Sequence, residues 1–236
     1  MRRTRPDLAR REAWWAGAGV TAWLALAAAD IQPFRRGIRA GLTGWMATVV
    51  MLDWHLGMLE TEHGEPRNLG PADAATLIRA WLIPAVADTP SLALCLLGFA
   101  TDVADGQLAR ATAPTRMGRD LEGLVDTCFT AAALRGAQRH DGLGAVAGGA
   151  ELGRLGAGVC YALVVYFGDA KAPDPRILHA ARRIAPLRAA GVLCACAGHR
   201  RAADALLAAG SVASVAVIVR AHRARRHAVH DQPSSG

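Results

Sequence analysis

The chain has 236 residues, of which 52% are hydrophobic but only 5% aromatic and 20% charged, with a net charge of +7 and a mean hydropathy of +0.19. That balance excludes a disordered chain, and the surplus of small apolar residues over aromatic ones departs from an ordinary soluble core. The basic excess does not point to nucleic acid: no basic stripe with interleaved aromatics occurs, and the arginines flank apolar stretches as membrane topology signals do.

Residues 1–11 hold five arginines and run into an apolar stretch over 13–29. Ala27, Ala28 and Ala29 before Asp30 would suit a signal peptide, whereas Trp14, Trp15 and Trp23 suit the interfacial anchoring of a signal anchor with a cytoplasmic start. A second apolar stretch covers 37–59, and its flanking Arg35, Arg36 and Arg39 would violate the positive-inside rule if both stretches crossed. A shallow hairpin in the cytoplasmic interface removes that conflict. Asp53 and His55, beside Trp54, read as local helix-end pairing or as a small metal site.

The glycines and prolines of 61–71 rule out continuous helix and mark a boundary. Six apolar stretches follow, over 73–88, 90–112, 117–138, 143–167, 177–198 and 202–221, separated by short polar or Pro/Gly breaks. The predicted fold is all-α: a polytopic membrane helical bundle with a six-helix core plus one or two N-terminal hydrophobic segments. Residues 1–69 form the appendage, 70–221 the core and 222–236 a disordered basic tail. Arginine placement puts 113–117, 168–176 and the C-terminus on the cytoplasmic side. Cys95, Cys128, Cys160, Cys194 and Cys196 all fall in apolar segments without C-x-x-C spacing, so they are expected to be reduced and buried, with neither zinc nor a disulfide framework.

Within the second and third core stretches stand acids that an apolar helix tolerates only at a cost. Asp102 and Asp105 are i,i+3, and Glu122 and Asp126 are i,i+4, so each pair shares a helix face. A hairpin around Pro114 would bring all four together. Their mutual repulsion then calls for a cation, and all-oxygen donors favour Mg2+ or Mn2+. The plainer alternative pairs them with Arg110, Arg116 and Arg119 in interfacial salt bridges. Gly106, a costly residue in a helix, and Arg110, two turns beyond Asp102, add a bare backbone patch and a cation suited to an anionic ligand.

The run Asp102-x-x-Asp105-Gly106-x-x-Ala109-Arg110, then Gly118-x-x-x-Glu122-x-x-x-Asp126, resembles the signature D-x-x-D-G-x-x-A-R…G-x-x-x-D-x-x-x-D of the CDP-alcohol phosphatidyltransferases. Asp73-x-x-Thr76-x-x-Arg79 followed by Pro84 resembles the family's first core helix, which usually begins with asparagine. The resemblance spans about 70–221. Glu122 replaces the third aspartate, and the spacing between Arg110 and Gly118 is one residue short.

The resemblance implies transfer of a phosphatidyl group from a CDP-linked lipid such as CDP-diacylglycerol to an acceptor alcohol, with release of CMP, at the cytoplasmic face of a cell membrane. Carried over by position, Asp102, Asp105, Glu122 and Asp126 hold two metal ions, and Asp126 is also the general base. Gly106, Arg110, Thr115, Thr76 and Arg79 contact the CDP moiety. A homodimer is implied as well.

His179 and Arg183, an i,i+4 pair with Arg176 a turn earlier, would suit a phosphorylated acceptor or would simply snorkel. Arg154 would serve the same acceptor or pair with Glu151 at i−3. Two alternatives stand beside the enzyme: a catalytically silent membrane scaffold or lipid-binding relative, and a carboxylate-lined cation transporter, which the crowding of acids at one end of a single hairpin disfavours.

Overall fold

The computed structural model describes residues 5–55, 59–60, 65–112, 115–167 and 175–230. The described residues form α1 (Pro6–Ala28), α2 (Gln32–Arg36), α3 (Ile38–His55), α4 (Pro71–Asp88), α5 (Leu92–Thr112), α6 (Arg116–Arg139), α7 (Ala145–Phe167), α8 (Pro175–Cys196) and α9 (Arg200–His230). Apart from one isolated bridge between Glu60 and Pro66, no β pairing occurs between described residues, so the all-α expectation holds. The six core stretches correspond to α4 through α9. They group into two compact units, Met1–Ala137 and Gln138–Gly236.

In the first unit the N-terminal segment packs on the first core helix. α1 ends in a Schellman turn: Ile31 N–H bonds Leu26 C=O, Asp30 N–H bonds Ala27 C=O, and Asp30 takes the left-handed φ of 60° usually left to glycine. The chain then returns through α2 and α3. Trp45 of α3 lies where a Cβ on Gly19 would stand, and Trp23 of α1 lies where a Cβ on Gly41 would stand, so each helix offers a glycine notch to the other's indole. The indoles of Trp23, Trp45 and Trp81 each donate to a backbone carbonyl, of Phe34, Ala16 and Gly19 respectively, all at 3.0 Å. Trp23 is fully buried, 5.0 Å from the Phe34 ring and 5.2 Å from that of Trp81. The expectation of Trp23 as an interfacial anchor is therefore corrected: α2 folds back over it. Trp14 does remain exposed.

α4, α5 and α6 meet through small residues. A Cβ on Gly98 of α5 would stand 2.1 Å from the Phe129 ring of α6, and one on Gly136 of α6 would stand 2.5 Å from the Val86 carbonyl of α4. These notches bring the acid-bearing helices close.

In the second unit α8 and α9 form a hairpin. His199 N–H bonds Cys194 C=O and Gly198 N–H bonds Ala195 C=O, with Gly198 at φ 78°, a second Schellman turn. Asp204 of α9 accepts the Gly144 N–H at 2.8 Å at the start of α7.

Two expectations change. α9 continues past residue 221 to His230, because the Ala/Arg composition there is helix-forming despite its charge; residues 231–236 lie outside the described residues. Of the cysteines, Cys95 and Cys196 are buried but Cys128 and Cys160 are exposed, on faces of α6 and α7 that no described side chain covers. No disulfide links described residues.

Among the described residues one segment, Leu92–Ala109 of α5, is long and apolar enough to cross a membrane. The expected six crossings go beyond that. α6 carries too many arginines and acids and α8 too many arginines, and their alanines and glycines contribute little hydropathy.

Candidate metal and donor site

Three helices of the first unit supply the site. α4 begins after Gly70, whose N–H donates to Asp73 Oδ2 at 2.7 Å, so Asp73 caps its own helix. One turn further Thr76 donates its hydroxyl to Asp105, and both are buried. Another turn on, the guanidinium of Arg79, with a side chain only 2% exposed, reaches Asp102 at 3.4 Å and Asp105 at 3.5 Å and makes its shortest ion pair with Asp126. Its Nε donates to Thr101 Oγ1 at 3.4 Å, and Thr101 in turn bonds the Gly98 carbonyl at 2.7 Å. The i,i+3 rhythm of Asp73, Thr76 and Arg79 puts all three on one face of α4.

Asp102, Glu122 and Asp126 each present a carboxylate oxygen, all within 4.8 Å of one another and partly exposed. Asp105 is deeper and is engaged by Thr76 and Arg79, so it stands outside this group of three. The donors are hard oxygens at the spacing a divalent cation bridges, and among the described side chains four acids stand against the one guanidinium of Arg79, an excess of negative charge that a cation would neutralise. The donor set therefore fits Mg2+ or Mn2+. Glu122, the departure from the usual aspartate, is one of the three.

Other expected site residues have partners of their own. Thr115 precedes α6 and accepts the Gly118 N–H on its hydroxyl at 3.0 Å, a helix N-cap. Gly106 lies on α5 beside Asp105. The side chains of Arg110, Arg116, Arg119 and Arg176, and residues 113–114 and 168–174 of the expected cytoplasmic loops, lie outside the described residues. Among the described side chains the cation paired with the acids is Arg79, which comes from α4.

In the second unit Arg154 of α7 pairs with Glu151, donating from Nε to both carboxylate oxygens at 3.1 Å. Sequence reasoning missed the rest of that cluster. Glu151 is fully buried and also takes Arg188 of α8, at 2.8 Å from Nε, and the Ser211 hydroxyl of α9 at 3.2 Å. A lone acid in an apolar stretch was the available signal. His179 and Arg183 lie on α8 and are exposed.

Residues 72–165, from α4 to α7, match the family model described as CDP-alcohol phosphatidyltransferase. The match covers that segment, less than half of the chain. Neither the curated proteins nor the solved structures give a match. Family members transfer a substituted phosphoryl group from a CDP-alcohol donor to an alcohol acceptor, depend on divalent metal and are typically integral to membranes. The matched segment of this chain contains all four motif acids, together with Thr76 and Arg79.

Proposed function

We propose that the protein transfers a phosphatidyl group from a CDP-linked lipid such as CDP-diacylglycerol to an acceptor alcohol, releasing CMP, within phospholipid biosynthesis at a membrane. The observation that carries this reading is the trio Asp102, Glu122 and Asp126, whose oxygens lie within 4.8 Å of one another on motif positions. Asp102, Glu122 and Asp126 would hold divalent metal, with Asp105 joining them if it exchanges Thr76 and Arg79 for the ion. Bound Mg2+ or Mn2+ would neutralise charge on the donor pyrophosphate and on departing CMP.

Asp126 would accept the proton of the acceptor hydroxyl. The acceptor oxygen then bonds the lipid-bearing phosphorus as the phosphorus–oxygen bond to CMP breaks. Arg79 holds Asp126 in an ion pair, which weakens it as a base. A donor phosphate competing for that guanidinium would free the carboxylate only when substrate is present. Thr76, Arg79, Gly106, Arg110 and Thr115 are the proposed contacts of the CDP moiety, and Thr115 would have to bind through whatever capacity its cap leaves.

For the acceptor, Arg154, His179 and Arg183 remain candidates. Arg154 and Arg188 exceed Glu151 in charge and keep side-chain exposures of 24% and 19%, which suits a phosphorylated alcohol. The six-crossing membrane bundle, the cytoplasmic site, the core over 70–221 and a homodimer belong to the same proposal. Incubating the purified chain with CDP-diacylglycerol, Mg2+ or Mn2+ and candidate alcohols should release CMP. No release with any alcohol would favour the silent relative.

A further inference from the structure

The loop leading into α4 is held by the start of α1, residue by residue. Arg5 donates to the Arg67 carbonyl at 2.8 Å, Asp7 accepts the Asn68 side-chain amide at 2.9 Å, and Arg11 donates to the Leu69 carbonyl at 2.6 Å. Asn68 closes the same turn, taking the Leu69 N–H on its side-chain oxygen at 2.8 Å. The next residue, Gly70, is tied to Asp73, so an unbroken series of polar contacts runs from α1 into the first turn of α4. Thr76 and Arg79, the two α4 side chains in contact with the acids, follow within two turns.

Asp73 also lies against the start of α6, its Oδ1 3.3 Å from where a Cβ on Gly118 would stand. A slip of α4 along its axis would therefore move the cap, the Thr76 hydroxyl and the Arg79 guanidinium together. Leu69 itself is buried at 3% exposure, so its carbonyl has a fixed direction and Arg11 grips an anchored point.

We infer that the first turns of α1 are a clamp that sets the position of α4, with Arg11 as the positioning residue for the acid site. This rests on the proposed metal-dependent transfer, and the clamp can also be read without it. Arg11 touches no reacting group. Its loss lowers the fraction of molecules with Thr76 and Arg79 in place, and the apparent affinity for the CDP donor, which those two side chains are proposed to contact, falls by that fraction. Saturating donor restores the competent arrangement, so turnover at saturation is kept.

The experiment compares the full chain with Arg11→Ala and Arg11→Lys in detergent or vesicles, by backbone amide exchange over residues 72–79 and by the CDP-diacylglycerol concentration giving half-maximal CMP release at saturating Mn2+. Arg11→Ala should speed amide exchange about tenfold and raise the half-saturating donor concentration about tenfold, the size of effect one charge-assisted hydrogen bond supports. Maximal turnover should hold within about twofold. Arg11→Lys keeps a donor for the Leu69 carbonyl and should restore both readings. Unchanged exchange in Arg11→Ala overturns the clamp, whether or not the wild type releases CMP. Faster exchange with an unchanged half-saturating donor concentration overturns the positioning role and leaves a strut. If the wild type releases no CMP, the proposed transfer has failed and the exchange comparison alone decides the clamp.

Discussion

In the first compact unit one guanidinium, that of Arg79, faces Asp102, Asp105 and Asp126, with Glu122 beside them. In the second, one carboxylate, Glu151, faces Arg154, Arg188 and Ser211. Both clusters put ionised groups inside helices and so carry a desolvation cost, but the ratio of charges is inverted. Among the described side chains the acid-rich cluster is left negative and has partly exposed oxygens that a cation can reach. The arginine-rich cluster already satisfies its buried carboxylate and keeps surplus positive charge at its rim. Counting the described charges and exposures thus separates a site that calls for a cation from one whose buried carboxylate is already satisfied, without reference to family.

The largest expected effect separates shape from charge in the first cluster. Glu122→Gln should abolish Mn2+ binding and CMP release, whereas Glu122→Asp, which shortens the arm but keeps the charge, should retain both. Equal activity of the glutamine variant would take Glu122 out of the site. Next, Asp126→Asn should lower turnover about 10³-fold, as loss of a general base does, while keeping appreciable donor affinity. Turnover and binding falling together would make Asp126 a ligand only.

The second cluster should respond in stability instead. Glu151→Gln leaves Arg154 and Arg188 without their countercharge and should cost about 3 kcal/mol in a denaturation experiment, with the half-activating Mn2+ unmoved. A shift in the metal requirement would erase the contrast between the clusters. The smallest effect is at Thr115. If its hydroxyl only caps α6, Thr115→Ala should lose about 1 kcal/mol of stability and Thr115→Ser nearly nothing; a large rise in donor KM in the alanine variant would instead support the CDP contact.

What the sequence made legible follows helical spacing. Asp102 with Asp105, Glu122 with Asp126, and Thr76 with Arg79 share faces by number alone, and the breaks around 61–71, 88–90 and 198–201 place the helix ends. What it hid depends on which helix meets which. Nothing local says that Arg79 points among the acids of α5 and α6, or that Arg188 and Ser211 complete Glu151 from α8 and α9. Asp105 was grouped with the other three acids because spacing cannot tell an oxygen held by Thr76 from one left to the site. Trp23 suggested an anchor because an aromatic near a basic terminus fits an interface, and only the return of α2 shows it to be core. The continuation of α9 to His230 was masked by charge, which marks solvation but does not prevent helix.

The central claim is that the acid cluster works through bound divalent cation, and it is tested most directly by the metal dependence of CMP release from CDP-diacylglycerol. With EDTA the wild type should release no CMP, and added Mg2+ or Mn2+ should restore release in the wild type but not in Asp102→Asn. CMP release undiminished in EDTA, or restored equally in Asp102→Asn, would contradict the account.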